Sequence, residues 1–180
     1  WFVPAPGAPG AFQAPPGQPV GVGSVNPQAL LTVRMFSSNA KASIDLDWFI
    51  RRIQQALVLR DCLYPSPHYR LIFGESDGLP GLVVDRFGST LVLEFFSAGM
   101  FRVRHILQEA LNKHFPESTF YWFAEEHVQK QESFDCHAPE PPPPSVITEH
   151  GLRFRVAPGS KHKTGFFVVQ RDSSRSLARL

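Results

Sequence analysis

Cysteine is scarce in this sequence: Cys62 and Cys136 are the two thiols among 180 residues, and they form no Cys-x-x-Cys pair. Two thiols make a poor framework for a disulfide-stapled domain, so a reducing compartment, the cytoplasm, is expected. Long apolar runs are also missing, and none approaches the about 20 residues that cross a bilayer as a helix. Charge of one sign is missing too. Eighteen Lys plus Arg stand against sixteen Asp plus Glu, a net of +2 that diagnoses no nucleic-acid partner. No two histidines share the metalloprotease helix spacing with an acid, and no metal site is expected. The opening residues show neither a basic leader followed by an apolar stretch nor a cleavage pattern, so secretion is not expected.

What is present is apolar matter and proline. Hydrophobic residues make up 43% of the chain, enough for one ordinary domain or two small ones. Six prolines fall in residues 1–19 with repeated Gly and Ala, which opposes helix and predicts an irregular or loosely attached segment. Pro139 to Pro144, interrupted only by Glu140, predicts an extended connector and a boundary. Between these points Leu30 to Phe36 reads as a strand, and Ile44 to Leu63 carries apolar residues at helical intervals with Asp45 or Asp47 as cap. Tyr69 to Phe73, Leu79 to Phe87 and Ser89 to Phe96 read as extended, with Asp85-Arg86-Phe87-Gly88 as a turn. Phe101 to Phe115 reads as a helix that Pro116 ends, and Thr119 to Ala124 as a strand. Val146 to Thr148 and Leu152 to Val156 fit a hairpin around Glu149-His150-Gly151. A last helix is expected from about Ser174. The fold class is mixed α/β.

Few residues declare chemistry. Gly74-Glu75-Ser76-Asp77-Gly78 lacks the lysine and the complete glycine pattern of a phosphate loop, so ATP use is not expected. Glu75, Asp77 and Asp85 give no readable acid and base pair, which would need a cleft and unlike protonation environments, whereas Gly74, Gly78 and Gly81 with Pro80 are read as architecture that shapes a tight approach to the following strand. Cys62, at an apolar helix end, is read as a packing residue, and Cys136 as exposed beside the connector; neither is read as a nucleophile. No catalytic residue is assigned. Arg153 and Arg155 stand two apart in a probable strand, so both project from one face while Leu152, Phe154 and Val156 face the core. That pair is the candidate RNA contact, and a solvated surface is the alternative. The Thr164-Gly165 turn beside two aromatic residues could hold a polar ligand against an apolar wall.

The run from Tyr69 through Gly88, with Gly78-Leu79-Pro80-Gly81-Leu82-Val83-Val84-Asp85-Arg86-Phe87-Gly88 at its centre, resembles the signature of the bacterial S-adenosylmethionine-dependent cytosine-C5 methyltransferases of 23S ribosomal RNA. The resemblance continues through Ser97-Ala98-Gly99-Met100, Glu149-His150-Gly151, His162 to Phe167 and Gln170-Arg171-Asp172-Ser173, and covers roughly Gly21 to Arg175. It implies an N-terminal PUA domain, a central α/β domain with a Glu-Glu-His-Gly-Leu hairpin, and a Rossmann-like methyltransferase domain. On that pattern residues 1–19 are the irregular segment and 20–36 a partial PUA-like segment. Residues 45–158 are the central domain, and 159–180 only the beginning of the methyltransferase domain. Thr148 replaces the first glutamate of the hairpin motif, Val169 replaces the aspartate of the Lys163 to Arg171 run, and Trp122-Phe123-Ala124-Glu125 replaces a more polar Asp-Arg-Ser-Asp run.

The same resemblance implies that Lys163, Thr164, Phe167, Gln170 and Arg171 shape the edge of an S-adenosylmethionine site, and that ribosomal RNA is the partner. In such enzymes a cysteine thiolate adds to C6 of cytosine and so makes C5 nucleophilic toward the methyl group. Neither Cys62 nor Cys136 matches that nucleophile. The glycine-rich cofactor loop, the ribose-binding acid and the catalytic cysteine are expected beyond Leu180, so these 180 residues alone are not expected to methylate RNA. The competing expectation is a noncatalytic RNA-binding or ribosome-related module.

Overall fold

Strands appear in the proline-rich opening, where an irregular segment was expected. The computed structural model describes residues 8–14, 17–159, 164 and 166. In it β1 (Ala8–Ala14), β2 (Gln18–Val25) and β3 (Val33–Ser37) form an antiparallel sheet in that order. Proline is tolerated for a positional reason. Pro9 lies on an edge strand, and Pro19 lies outside the part of β2 that pairs with β3, which runs from Val22 to Val25. Among the described residues this sheet has three strands and does not close into a barrel. β3 starts later than the apolar pattern suggested, because residues 26–32 form a turn in which the Asn26 amide donates to the Thr32 carbonyl at 2.8 Å.

Asp45 starts α1 (Leu46–Leu63) by accepting a hydrogen bond from the Trp48 amide at 2.9 Å. That bond, with a second from Ser43, holds the Asp45 carboxyl below its ordinary pKa. Phe49, Ile53, Ala56 and Leu57 recur on one face of α1 and are buried. The helix ends at Tyr64, whose ring stacks on Tyr69.

The central sheet is β4 (His68–Phe73), β5 (Leu82–Phe87), β6 (Thr90–Phe95) and β7 (Thr119–Phe123) in sequential order. Its pairs are antiparallel except for β6 with β7. A parallel neighbour needs a crossover, supplied by α2 (Ala98–Arg102) and α3 (Arg104–His114). The expected single helix over Phe101 to Phe115 is thus two helices broken at Val103, and Ser97 caps the first by accepting from the Met100 amide. The expected turn at Asp85 to Gly88 is also displaced. β5 runs on to Phe87, and the reversal is made at Gly88 and Ser89, where Gly88 takes a positive φ of 63°.

α1 and α3 cover one face of this sheet, joining Phe49, Ile53, Leu107 and Leu111 to Leu71, Val84, Leu91 and Leu93. The opposite face carries Phe87, Val92 and Tyr121, and is covered by a hairpin of β8 (Ser145–Glu149) and β9 (Leu152–Val156) through Ile147 and Val156. His150 and Gly151 both have positive φ, 50° and 83°, the geometry that matches the twist of a two-residue hairpin. The connector from Phe134 to Pro144 has no regular secondary structure.

A short helix that the sequence pattern did not reveal, α4 (Glu126–Glu132), precedes that connector. It ends in the buried Glu132, whose Oε1 accepts from Arg34 at 3.0 Å. Its Oε2 accepts from the Asn26 side-chain Nδ2 at 3.1 Å and from the Ala98 backbone N–H at 3.2 Å. One carboxylate therefore fastens the N-terminal sheet and the start of α2 to α4.

Candidate functional site

The β5 strand alternates strictly, so Leu82 and Val84 enter the helix-covered core while Asp85 points to the hairpin side. Asp85 is fully buried there. A buried carboxylate needs partners, and Arg70, its register neighbour on β4, donates from Nε at 2.8 Å and from a terminal nitrogen at 3.0 Å. Burial lowers the Arg70 pKa, but the two bonds to Asp85 and the nearby Glu94 charge outweigh it, and the net shift is upward. The guanidinium also lies 5.3 Å from the centre of the Phe73 ring. A third donor to Asp85 arrives from far along the chain: the buried Thr164 hydroxyl. Asp77 belongs to a separate pair, bonded by Arg60 at 2.7 and 2.6 Å. Both aspartates are thus architectural, while Glu75 is largely exposed.

Thr164 is the one expected cofactor-edge residue within the described set; Lys163, Phe167, Gln170 and Arg171 lie outside it, as does the helix expected from Ser174. The Thr164 hydroxyl hydrogen is committed to Asp85, which makes this residue an anchor for its segment rather than a free donor. Phe166 reinforces the anchor by packing against Phe154 of β9, with ring centres 5.1 Å apart.

Arg153 and Arg155 are exposed, while Leu152, Phe154 and Val156 turn inward. Cross-strand pairing places Arg153 opposite Thr148 and Arg155 opposite Val146, all on the solvent face of the hairpin. The face is one cationic strip, and the strand that bears it packs, through Phe154, on the segment that Thr164 anchors.

The thiols depart from expectation in opposite ways. Cys62 is exposed on α1 and packs nothing away. Cys136 is half-buried against the core, and burial pushes its pKa above the ordinary 9.0. Among the described residues no cluster of His, Cys, Asp or Glu could hold a metal ion, and no helix is long and apolar enough to cross a membrane.

Comparison with known proteins places these features in context. No family model matches the chain. It is 40% identical over 162 residues to a ribosomal RNA large subunit methyltransferase I of Erwinia tasmaniensis, a match covering 86% of this chain and 41% of that protein. Proteins of the same name from Aliivibrio fischeri and Escherichia coli are 37% and 38% identical, over 84% and 87% of this chain. The chain spans about two fifths of the length of these curated relatives. Two solved structures share the fold. One, described as a SAM-dependent methyltransferase from Streptococcus mutans, aligns over 98% of this chain and 46% of its own with a TM-score of 0.78 at 18% identity. The other, described as a methyltransferase and complexed with SAH, aligns over 97% and 46% with a TM-score of 0.79 at 20% identity.

Proposed function

We propose that this chain is the RNA-facing, substrate-positioning part of an S-adenosylmethionine-dependent methyltransferase acting on C5 of a cytosine in large-subunit ribosomal RNA. The observation that carries the reading is the extended identity to ribosomal RNA methyltransferases over most of the chain. The cationic strip on β9 supports it. Arg153 and Arg155 offer planar, permanently charged donors to phosphates, and the hairpin fixes both on one side.

The cofactor supplies the methyl group. Within this chain Lys163, Phe167, Gln170 and Arg171 are proposed to line the edge of its site, with Thr164 holding that segment to Asp85. These residues are proposed to supply part of that pocket rather than the whole of it. Neither thiol is proposed as the nucleophile: Cys62 stands on the outer surface of α1, and burial disfavours the Cys136 thiolate. These observations favour, as the second reading, a module that binds ribosomal RNA without catalysis.

The test is charge reversal at Arg153 and Arg155, read by fluorescence anisotropy against a large-subunit ribosomal RNA fragment. Loss of two phosphate contacts to a single strand is expected to weaken binding and to reduce the slope of log affinity against log salt by about 1.4, at about 0.7 per contact. Unchanged affinity rejects the strip as the RNA surface. Calorimetric titration of the 180-residue chain with S-adenosylmethionine is expected to show no saturable heat. Stoichiometric micromolar binding would overturn the incomplete-pocket reading.

A further inference from the structure

A second surface suited to RNA lies at the end of the central sheet where α4, the turn Gly74–Asp77 and β3 meet. It is a cleft of about 470 Å³, within the range of small-ligand sites and at a junction between units, where such sites concentrate. Val128 and Phe96 contribute apolar wall, and Arg34, Glu75, Ser76 and Gln131 contribute polar groups.

Phe73 is the unusual member. It closes a strand whose other residues are buried or half-buried, yet it is 53% exposed and lines the cleft. A register irregularity between Arg70 and Ile72 accompanies its presentation, and the Arg70 guanidinium, itself fixed by Asp85, sits against the ring. The ring is thus steadied from within the protein while half of it faces solvent. An exposed aromatic held in this way is a stacking platform for an unpaired base.

The polar groups select among bases. Glu132 is turned inward to Asn26, Arg34 and Ala98. Glu75 is different: its carboxylate is 70% exposed and meets Arg34 at only 3.5 Å. A carboxylate accepts from an exocyclic amino group and repels a carbonyl oxygen at the same place, while Gln131 and Arg34 can donate to ring acceptors. The neighbourhood therefore suits an amino-bearing base over uracil, and its acid disfavours a phosphate. We propose that this cleft binds one unpaired, amino-bearing nucleobase of the RNA, stacked on Phe73 and read by Glu75; the inference rests on the RNA-binding reading above and adds a site to it.

The experiment is fluorescence anisotropy of the whole 180-residue chain with labelled short oligocytidine and oligouridine. Oligocytidine is expected to bind more tightly. Phe73→Ala removes a stack worth about 1–3 kcal/mol, which is about 5- to 150-fold in affinity for oligocytidine. Glu75→Gln, at a largely exposed position that leaves the fold intact, is expected to erase the preference over oligouridine. Unchanged affinity in Phe73→Ala, or an unchanged preference in Glu75→Gln, overturns the site. If reversal of Arg153 and Arg155 abolishes binding while both cleft variants bind normally, the cleft falls and the RNA reading stands; if the unmodified chain binds neither oligomer nor ribosomal RNA, both fall.

Discussion

Replacing Asp85 with alanine removes two bonds from Arg70 and one from Thr164 in a single step. The guanidinium left behind has 17% of its side chain exposed, so water only partly replaces what it loses. Breaking a buried pair from one side costs about 3–5 kcal/mol, a large share of the about 5–15 kcal/mol that holds a typical domain together. With a urea dependence of about 2 kcal/mol per molar, the midpoint should fall by roughly 2 M at unchanged slope. The double variant Arg70→Met with Asp85→Leu removes both charges and refills the space, and should regain most of that loss. Thr164→Val should cost about 1 kcal/mol alone and nothing further when added to Asp85→Ala. Urea unfolding followed by tryptophan fluorescence measures all four. A loss below about 1 kcal/mol for Asp85→Ala, or a double variant no better than it, would refute the account of this pair as a buried, mutually dependent unit.

Three further outcomes are expected. Cys62 should react with a thiol reagent well before Cys136 at pH 8, because a pKa raised by burial leaves less Cys136 thiolate at every pH, and raising the pH to 9 should not equalise them; mass spectrometry of timed quenches checks the order. Gly81→Ala should lower stability by about 1–3 kcal/mol, since φ is 76° and an added Cβ would stand 2.7 Å from that of Ser97, the cap of α2; a wild-type unfolding midpoint would count against it. Glu132→Ala should expose protease sites in the N-terminal sheet while the central sheet keeps its resistance, because the carboxylate holds Asn26 and Arg34 to α4; uniform susceptibility along the chain would contradict this.

How far the sequence discloses the fold depends on how the signal is carried. α1 was legible because Phe49, Ile53 and Leu57 repeat at helical spacing behind an aspartate, and the β8–β9 hairpin because alternation flanks a glycine. β1 was not, since prolines conceal a strand whose edge position tolerates them. α4 was hidden for another reason. Its seven residues are nearly all polar, and its placement comes from Glu132 and from Val128 packing rather than from any apolar stripe. The site divides in the same way. The outward pair of Arg153 and Arg155 followed from strand periodicity, whereas the bond from Thr164 to Asp85 joins residues 79 positions apart, a separation that local pattern does not encode.

The parallel pairing of β6 with β7 also orders events during synthesis. β4, β5 and β6 can pair as each leaves the ribosome, because tight or short reversals join them. β7 can add only after the crossover through α2 and α3 has emerged and α3 has found α1, and until then Leu91, Leu93 and Val92 of β6 lie along an unpaired edge. A nascent chain that has emerged from the ribosome as far as about Phe115 should therefore associate with holdase chaperones more strongly than one that has emerged beyond Val156, a difference that crosslinking of arrested ribosome complexes would register.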